Sequence, residues 1–195
     1  MKFLTLEKKY HDLGFELVAG VDEVGRGALA GPLVAGAVVL PARVRLPGLT
    51  DSKLLSKTQR ERLSQQIIEA GATIALGEVS AEEIDDIGIA AANKLAFIRA
   101  LSDMRPTPHF ALADYFTYTD LPCPSRGVAG GDKWVRSIAA ASIVAKVYRD
   151  TLMKKYHDDY PQYGFDAHVG YGTLKHRNAI KKYGACHLHR RTFTL

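Results

Sequence analysis

Four acidic residues of the chain lie in or directly after segments that are otherwise apolar. Asp22 and Glu23 close one apolar run, Asp114 closes another, and Asp132 follows two glycines and precedes a long helical stretch. A buried carboxylate costs several kcal/mol unless it is paired or binds a cation. If the four converge, their repulsion requires a cation, and oxygen ligands favour Mg²⁺ or Mn²⁺ over zinc. Two such ions can activate a water molecule and stabilise the leaving oxygen of a phosphodiester.

A structural role stays open for each acid taken alone, because a carboxylate at a strand end can accept hydrogen bonds from neighbouring amides. The pair Asp22 and Glu23 also carries a geometric condition. Neighbouring side chains of a regular strand point to opposite faces, so these two share a site only if the strand ends, twists or bulges there. The glycine-rich segment that follows them favours such an interruption.

That glycine-rich segment, at residues 25–30, matches the pattern G-x-G-x-x-A of dinucleotide-binding loops, with Asp51 at a suitable distance. The context argues against dinucleotide binding. The pattern must open a helix that faces a pyrophosphate, whereas here Gly31 and Pro32 precede an apolar strand and the two preceding acids would repel phosphates. A plain loop between strands and a backbone surface exposed for a ligand both remain open.

The hydrophobic pattern places these residues at the ends of strands and helices. Ser56 and Ser80 have the position of helix N-caps, the latter with Glu83 at capping-box spacing. Strands are predicted at residues 17–22, 33–40, 72–79, 109–114 and 126–129, and helices at 56–70, from 80 onward, at 89–104, 137–160 and 173–183. This order predicts a mixed sheet with helices packed against it, and no linker divides the chain.

The basic charge of the chain is concentrated near its end. The formal net charge is +5, but residues 146–195 hold ten Lys or Arg and four Asp, a net charge of +6, while residues 1–145 sum to −1. This division predicts one domain of residues 1–195, mostly sheet with the acids up to 145 and basic and helical from 146. The balance permits a polyanionic partner, although a solvated helical face has the same composition.

Several protein classes are excluded by composition. The sequence contains no run of about 18 apolar residues, so no membrane span is expected, and its start lacks the long apolar region of a secretory signal. Cys123 and Cys186 do not form a C-x-x-C pair and support neither a zinc ribbon nor a disulfide scaffold. We therefore expect an intracellular, cytoplasmic protein.

Taken in order, the motifs resemble those of the ribonuclease HII family, the bacterial type 2 ribonuclease H. The similarity starts at the first two acids and the glycine segment and ends in the basic C-terminal part. No single block is specific, but their order over nearly the whole chain is. The matching blocks are residues 20–27, 31–34, 51–56, 131–132, 137–147, 149–150, 161–165, 168, 170–171 and 189–193.

The resemblance implies an α/β fold of the RNase H type, with a five-stranded mixed sheet flanked by helices and a helical C-terminal part. It implies a metal-dependent endonuclease that hydrolyses the RNA strand of RNA–DNA hybrids and cuts at single ribonucleotides in duplex DNA, leaving 5′-phosphate and 3′-hydroxyl ends. Mg²⁺ or Mn²⁺ is the implied cofactor, with two ions during catalysis. The implied catalytic and metal-binding residues are Asp22, Glu23, Asp114 and Asp132.

The resemblance also implies which residues contact the nucleic acid. Gly25, Arg26 and Gly27 are expected to read the ribose 2′-hydroxyl, which distinguishes RNA from DNA. Tyr163 is expected to stack on the deoxyribose after the ribonucleotide, and the basic C-terminal part to follow the duplex backbone. A surface or capping role fits the expected phosphate contacts nearly as well. These expected phosphate contacts are Lys53, Ser137 and Lys146.

The chain departs from the family pattern at three places. Tyr115 stands where the family usually has glycine after the acid, which leaves the geometry of Asp114 open. Trp134 lies where smaller or basic residues are common, and it either stacks on a base or packs on the helix. The chain ends two residues after Phe193, so we expect no tail for a sliding-clamp partner, and we expect a monomer.

Two other functions stay open on the sequence. Another nuclease of the RNase H fold, such as a DNA junction resolvase, shares clustered acids but has no need of a 2′-hydroxyl reader. A non-catalytic hybrid-binding protein would have lost metal binding, and the four intact acids argue against it.

Overall fold

Strand and helix patterns alternate along the chain, and the computed structural model folds them into a mixed sheet with helices on both faces. It describes residues 6–194. Residues 1–5 and 195, which carry part of the expectations about a signal segment and a tail, lie outside this range. Each of the five predicted strands is present. The strands are β1 (Val18–Val24), β2 (Leu33–Val39), β3 (Thr73–Val79), β4 (Phe110–Asp114) and β5 (Ser125–Val128).

The strand order β3-β2-β1-β4-β5 puts β1 in the middle of the sheet. β2 runs antiparallel to both of its neighbours, β1 and β3, whereas β1, β4 and β5 run parallel. The predicted mixed, five-stranded α/β sheet is therefore confirmed. The parallel pairing also brings the carboxyl ends of β1 and β4 side by side, where the apolar runs close with acids.

The helices begin largely where capping residues predict. Ser56 and Ser80 each form a full capping box, with Gln59 and Glu83 as the reciprocal partners. Gly88 has a φ of +78° and kinks the helix that follows Ser80. The two stretches that the sequence predicts separately are therefore the two halves of one kinked helix. The first helix was not predicted. The helices are α1 (Leu6–Asp12), α2 (Lys57–Glu69), α3 (Ala81–Asp103), α4 (Gly131–Trp134), α5 (Arg136–Asp159), α6 (Phe165–His168) and α7 (Leu174–Tyr183), with 3₁₀ turns at Ser52–Leu54 and Pro161–Tyr163.

Helices α3 and α5 cover opposite faces of the sheet. Gly36 of β2 lets α5 approach closely, because a Cβ there would lie 2.6 Å from the carbonyl oxygen of Ala141. Helix α5 continues through residue 145, so the boundary between the acidic and basic parts of the sequence falls inside a helix. Among residues 6–194, no helix is long and apolar enough to cross a membrane.

Candidate active site

The acids gather at the carboxyl ends of the central strands. The parallel register of β1 and β4 brings Asp22 and Asp114 to the same level. Asp132 lies in α4, just after β5, the other neighbour of β4. The backbone amide of Gly131 donates a hydrogen bond of 2.6 Å to Asp114 Oδ1, and this bond fixes the start of α4 against the end of β4.

Asp22 and Glu23 reach one cleft because β1 ends directly after them, at Val24. β1 keeps a regular register with β2 as far as Val24, so the two side chains point to opposite faces. Ser142 of α5 lowers the pKa of Asp22, and Asn93 of α3 lowers the pKa of Glu23, so each carboxylate has its polar neighbour on a different face of the sheet. Of the three conditions that the sequence set, a strand end, a twist or a bulge, the structure shows the strand end, and both residues line the cleft that opens there.

Burial and mutual repulsion raise the proton affinity of these carboxyls. Burial raises the pKa of Asp22 well above its usual range, and the three other acids raise it further. Burial, with repulsion from Asp114, raises the pKa of Glu23 to about 7. Burial and the charge of Asp132 likewise raise the pKa of Asp114, against two backbone amides that lower it. The four acids therefore form one electrostatic cluster.

Lys53 places a positive charge inside this cluster. Its Nζ lies 3.3 Å from Asp132 Oδ2. Burial lowers the pKa of Lys53, but the neighbouring Asp132 outweighs burial and the pKa is raised overall. The ammonium group thus offsets part of the acidic charge on one side of the cleft.

A divalent cation fits the remaining donors. Glu23 Oε2 is buried and has no hydrogen-bond partner among the described residues, and the donors are carboxylate oxygens, the ligands that Mg²⁺ and Mn²⁺ prefer. Within residues 6–194, no three His, Cys, Asp or Glu side chains already form a metal cage. An ion would therefore have to draw the repelling carboxylates together.

The glycine segment after β1 presents bare backbone to the cleft. Gly25 is buried with a φ of +89°, and a Cβ there would collide with the Arg149 guanidinium. Gly27 is exposed and has no atom within 4 Å of the position of a Cβ, so a ligand can approach its peptide groups closely. The exposed Arg26 lies with its guanidinium carbon 4.9 Å from the centre of the Phe116 ring.

Two fully buried arginines, Arg149 and Arg190, hold this segment in place. Hydrogen bonds from a charged guanidinium are stronger than neutral ones, and each of these side chains makes three. They fix the path of the backbone from the glycine segment to β2. The bonds run from Arg149 to the carbonyl oxygens of Pro32, Ala30 and Val169, and from Arg190 to those of Gly31 and Arg26.

Two of the acids, Asp22 and Glu23, line one open cleft of about 250 Å³ together with the glycine segment, whereas Asp114 and Asp132 are not among its lining residues. The residues lining it are Asp22, Glu23, Val24, Gly25, Arg26, Gly27, Ser52, Lys53, Arg60, Ser142, Lys146 and Tyr171.

Comparison with known proteins identifies the family. The model of the family described as Ribonuclease HII matches residues 19–195. The chain belongs to the ribonuclease HII family. The ribonuclease HII of Syntrophobacter fumaroxidans is 49% identical over 193 residues, which are 99% of this chain and 83% of the relative. Proteins of this family are ribonuclease H enzymes, so the chain is an endonuclease of the ribonuclease H type.

Solved structures of related nucleases share the fold. The ribonuclease H2 from Pyrococcus horikoshii OT3 superposes with a TM-score of 0.74 at 29% identity, covering 91% of this chain and 93% of that chain. Bst-RNase HIII, solved in complex with Mn²⁺, superposes with a TM-score of 0.69 at 21% identity, covering 94% of this chain and 69% of that chain. Both carry the RNase H-like sheet.

Five of the nucleic-acid contacts expected for a ribonuclease HII line the cleft, and two do not. Ser137 lies outside it, buried at the start of α5, where its amide and hydroxyl donate hydrogen bonds of 2.9 and 3.0 Å to Glu7 Oε1. The structure therefore gives Ser137 a partner within the protein, Glu7, and does not bring it to the cleft with the other expected phosphate contacts. The five at the cleft are Gly25, Arg26, Gly27, Lys53 and Lys146.

Tyr163 is the second residue that lies outside the cleft. Its side chain is 3% exposed, stacks on Phe165 at 5.4 Å, and donates its hydroxyl proton to the Gly184 carbonyl oxygen at 2.8 Å. The 3₁₀ turn that begins at Pro161 folds the ring into the interior of the C-terminal part. The structure therefore places this ring in the interior of the C-terminal part and not at the cleft where the sequence expected a sugar contact.

Tyr171 lines the ribonuclease HII cleft instead, and it was not selected from the sequence. Its loop is tied to the glycine segment, because the amides of Leu29 and Ala30 both donate to the Gly170 carbonyl oxygen. The guanidinium carbon of Arg149 lies 5.6 Å from the centre of the Tyr171 ring. A local sequence signal for this difference was available. Tyr171 lies between two glycines, which favours an exposed loop, whereas Tyr163 lies two residues after a proline, which favours a turn.

Proposed function

We propose that this chain hydrolyses the RNA strand of RNA–DNA hybrids and also cuts duplex DNA at a single embedded ribonucleotide, leaving 5′-phosphate and 3′-hydroxyl ends. The observation that carries the proposal is a group of four interacting carboxylates, two of which, Asp22 and Glu23, line the same cleft as the bare backbone of Gly27. We assign the activity to one domain of residues 1–195, which acts as a cytoplasmic monomer.

The carboxylates are proposed to hold two ions of Mg²⁺ or Mn²⁺. When bound, such ions supply an activated water and stabilise the leaving 3′-oxygen. Asp22 and Glu23 approach from the two faces of β1, and Asp114 is oriented by the Gly131 amide. Bound cations would offset the repulsion among the acids, and Lys53 would then turn its ammonium group from Asp132 to a substrate phosphate.

The glycine segment is proposed to read the ribose 2′-hydroxyl. This group lies in the wide, shallow minor groove of an A-like duplex and is the feature that separates RNA from DNA. Gly27 leaves room for the peptide groups to approach it, and the clamps from Arg149 and Arg190 keep those groups at a fixed position. Fixed donors and acceptors discriminate better than mobile ones, since a substrate that lacks the hydroxyl leaves them unpaired.

Tyr171 takes the role first given to Tyr163. Its ring lies on the cleft beside the glycine segment, where it can pack on the sugar that follows the ribonucleotide. An additional hydroxyl on that sugar would meet the ring, which favours a deoxyribose there. Arg60 and Lys146 also line the cleft and are suited to contact neighbouring phosphates.

The test uses three duplexes with Mg²⁺ or Mn²⁺: an RNA–DNA hybrid, duplex DNA with one ribonucleotide, and an all-DNA four-way junction. We expect cleavage of the hybrid and of the duplex with one ribonucleotide, and no cleavage of the all-DNA junction. The products are expected to carry 5′-phosphate and 3′-hydroxyl ends. Equal cutting of the junction would favour a resolvase. Binding of the hybrid without cleavage in either metal would favour the non-catalytic protein.

A further inference from the structure

Two exposed aromatic rings flank the acids on the β4–β5 side of the cleft. Tyr115 directly follows Asp114, and Trp134 ends the short helix α4 that carries Asp132. Their side chains are 69% and 44% exposed, and Tyr115 is the most exposed Phe, Tyr or Trp of the described residues. The proposed function uses neither ring.

Tyr115 is kept in this position against its local preference. Its φ is +60°, and among the non-glycine residues of the range 6–194 only Val169 also has a positive φ. Such a conformation costs energy for a residue with a side chain. The Tyr115 amide donates to the Val128 carbonyl oxygen at 2.9 Å, which anchors the turn to β5. The ring itself is exposed. Its centre lies 5.3 Å from the centre of the Phe116 ring, in an edge-to-face arrangement.

Phe116 connects this ring to the glycine segment. Its ring lies parallel to that of Tyr118 at 5.7 Å, and the Arg26 guanidinium carbon is 4.9 Å from its centre. An aromatic row therefore runs from the glycine segment to Asp114, with its outermost ring exposed. Tyr118 packs against the hydrophobic core between α3 and the sheet, whereas Tyr115 belongs to no core cluster of the described residues.

We propose that Tyr115 and Trp134 form an aromatic contact site for sugar faces of the nucleic-acid strand bound across the cleft. The site is continuous with the acids, and the exposed cations Arg26, Lys53 and Lys133 surround it, which favours a polyanionic occupant over a protein surface. Sugar rings line the shallow minor groove that faces the glycine segment, and aromatic contacts to nucleotides add affinity without reading sequence. This inference rests on the proposed function.

The decisive variant is Tyr115→Gly, because it separates folding from binding. Glycine adopts a φ of +60° without strain, so the free energy of unfolding is expected to stay equal or rise. Hybrid affinity is expected to fall about tenfold, the size of one lost aromatic contact to a nucleotide. Tyr115→Phe keeps the ring and is expected to bind as the wild type does.

Trp134 supplies an independent readout, because it is the only tryptophan of the chain. In an Asp22→Asn background, with Mg²⁺ present and cleavage blocked, titration with an RNA–DNA hybrid is expected to quench its emission and saturate at one duplex per chain. Leu13→Ala is the matched control. Leu13 is 64% exposed and follows α1, whose Tyr10 stacks on Phe110 at the opposite end of β4 from Asp114.

Failures of the two proposals are distinguishable. If Tyr115→Gly binds the hybrid as tightly as the wild type and Trp134 emission does not change, the aromatic contact site is overturned, while cleavage of the hybrid by the wild type leaves the proposed function standing. If the wild type neither binds nor cleaves the hybrid, both proposals are overturned. An equal loss of affinity in Leu13→Ala would also overturn the contact site.

Discussion

Asp22 is a buried acid whose pKa is raised by burial and by three further acids, so its ionisation weakens the metal-free fold. Such an arrangement is retained only where charge has a use, and a cation-binding site is one. The amide that orients Asp114 and the ammonium group beside Asp132 offset part of the repulsion. The site is therefore set up to gain stability when it binds a divalent cation.

Glu23 gives the first prediction, on pH dependence. Its folded-state pKa of about 7 lies above the value near 4.5 of an unperturbed glutamate, so the folded state keeps a proton that the unfolded state has released. The stability from this proton is fully present at low pH and is lost as the pH rises from about 4.5 through 7. In metal-free urea unfolding, Glu23→Gln is expected to be more stable than the wild type at pH 8 and to lose that advantage at pH 4.5. A constant difference across this range would contradict the account.

Tyrosines 171 and 163 give the second prediction. Tyr171→Ala removes a ring at the cleft and is expected to lower kcat/KM on a single-ribonucleotide duplex about ten- to a hundredfold, the size of a lost stacking contact, with little change in thermal stability. Tyr163→Ala empties a buried site and is expected to cost about 3–5 kcal/mol of unfolding free energy. Tyr163→Phe should retain activity. If activity depended on the Tyr163 ring or hydroxyl and not on Tyr171, the contact to the substrate sugar would belong to Tyr163.

Sequence reasoning at this scale succeeded where burial followed from a single strand. An acid that closes an apolar strand must lie at a sheet end, so the positions of Asp22 and Asp114 could be predicted. Ser137 could not, because its hydroxyl is held by Glu7, a partner 130 residues earlier on a helix that the pattern did not indicate. The burial of Tyr163 likewise depends on the Gly184 carbonyl, which only the folded C-terminal part brings near.

The elements of the fold set how precisely the site is held. Helix α5 lies directly on β1 and β2 because small residues on both sides permit a close approach, and it carries Ser142 and Lys146 to the cleft. The capping boxes and apolar runs made most elements predictable. The interruption of α3 at Gly88 falls between the two helical stretches that the sequence predicts, whereas the short helices α4 and α6 were not predicted from it.

The third prediction compares two glycines of the sheet and its loop. In Gly36→Ala the new methyl meets the Ala141 carbonyl 2.6 Å away, so α5 must shift, and a loss of about 1–3 kcal/mol of unfolding free energy is expected. Gly27→Ala meets no atom within 4 Å, so stability should not change while ribonucleotide cleavage falls. Chemical denaturation and initial rates on both variants check this. Unchanged cleavage by Gly27→Ala would contradict the assignment of the 2′-hydroxyl reader.

Over the whole molecule, the basic charge divides into two uses. Residues 146–195 carry a net charge of +6, but two of their ten cations, Arg149 and Arg190, are fully buried and bind backbone carbonyls. Composition could not separate these clamps from surface cations. We propose that the exposed remainder contacts a duplex backbone, while the cations and acids at the cleft take part in the reaction.

The fourth prediction concerns this exposed charge. Hybrid binding by the Asp22→Asn variant is expected to weaken steeply with salt, because each neutralised phosphate releases counterions. Lys146→Gln, at the cleft, should lower the slope of log affinity against log salt by close to the contribution of one phosphate, about 0.7–0.9. Arg105→Gln is the control, since this exposed arginine follows α3 away from the cleft. If the Asp22→Asn variant has the same slope with and without the Lys146→Gln change, Lys146 does not contact the duplex.

The central claim is that the carboxylate cluster at the end of β1 and β4 performs the hydrolysis. The most direct measurement is single-turnover cleavage of duplex DNA with one ribonucleotide, in Mg²⁺ and in Mn²⁺, by the wild type and by Asp22→Asn side by side with thermal unfolding of both. We expect the variant to lose more than about a hundredfold in rate, since even groups that only support a metal ligand are worth about 10- to 100-fold, and its metal-free form to unfold at an equal or higher temperature. Cleavage by a folded Asp22→Asn variant at a rate near that of the wild type would contradict the account.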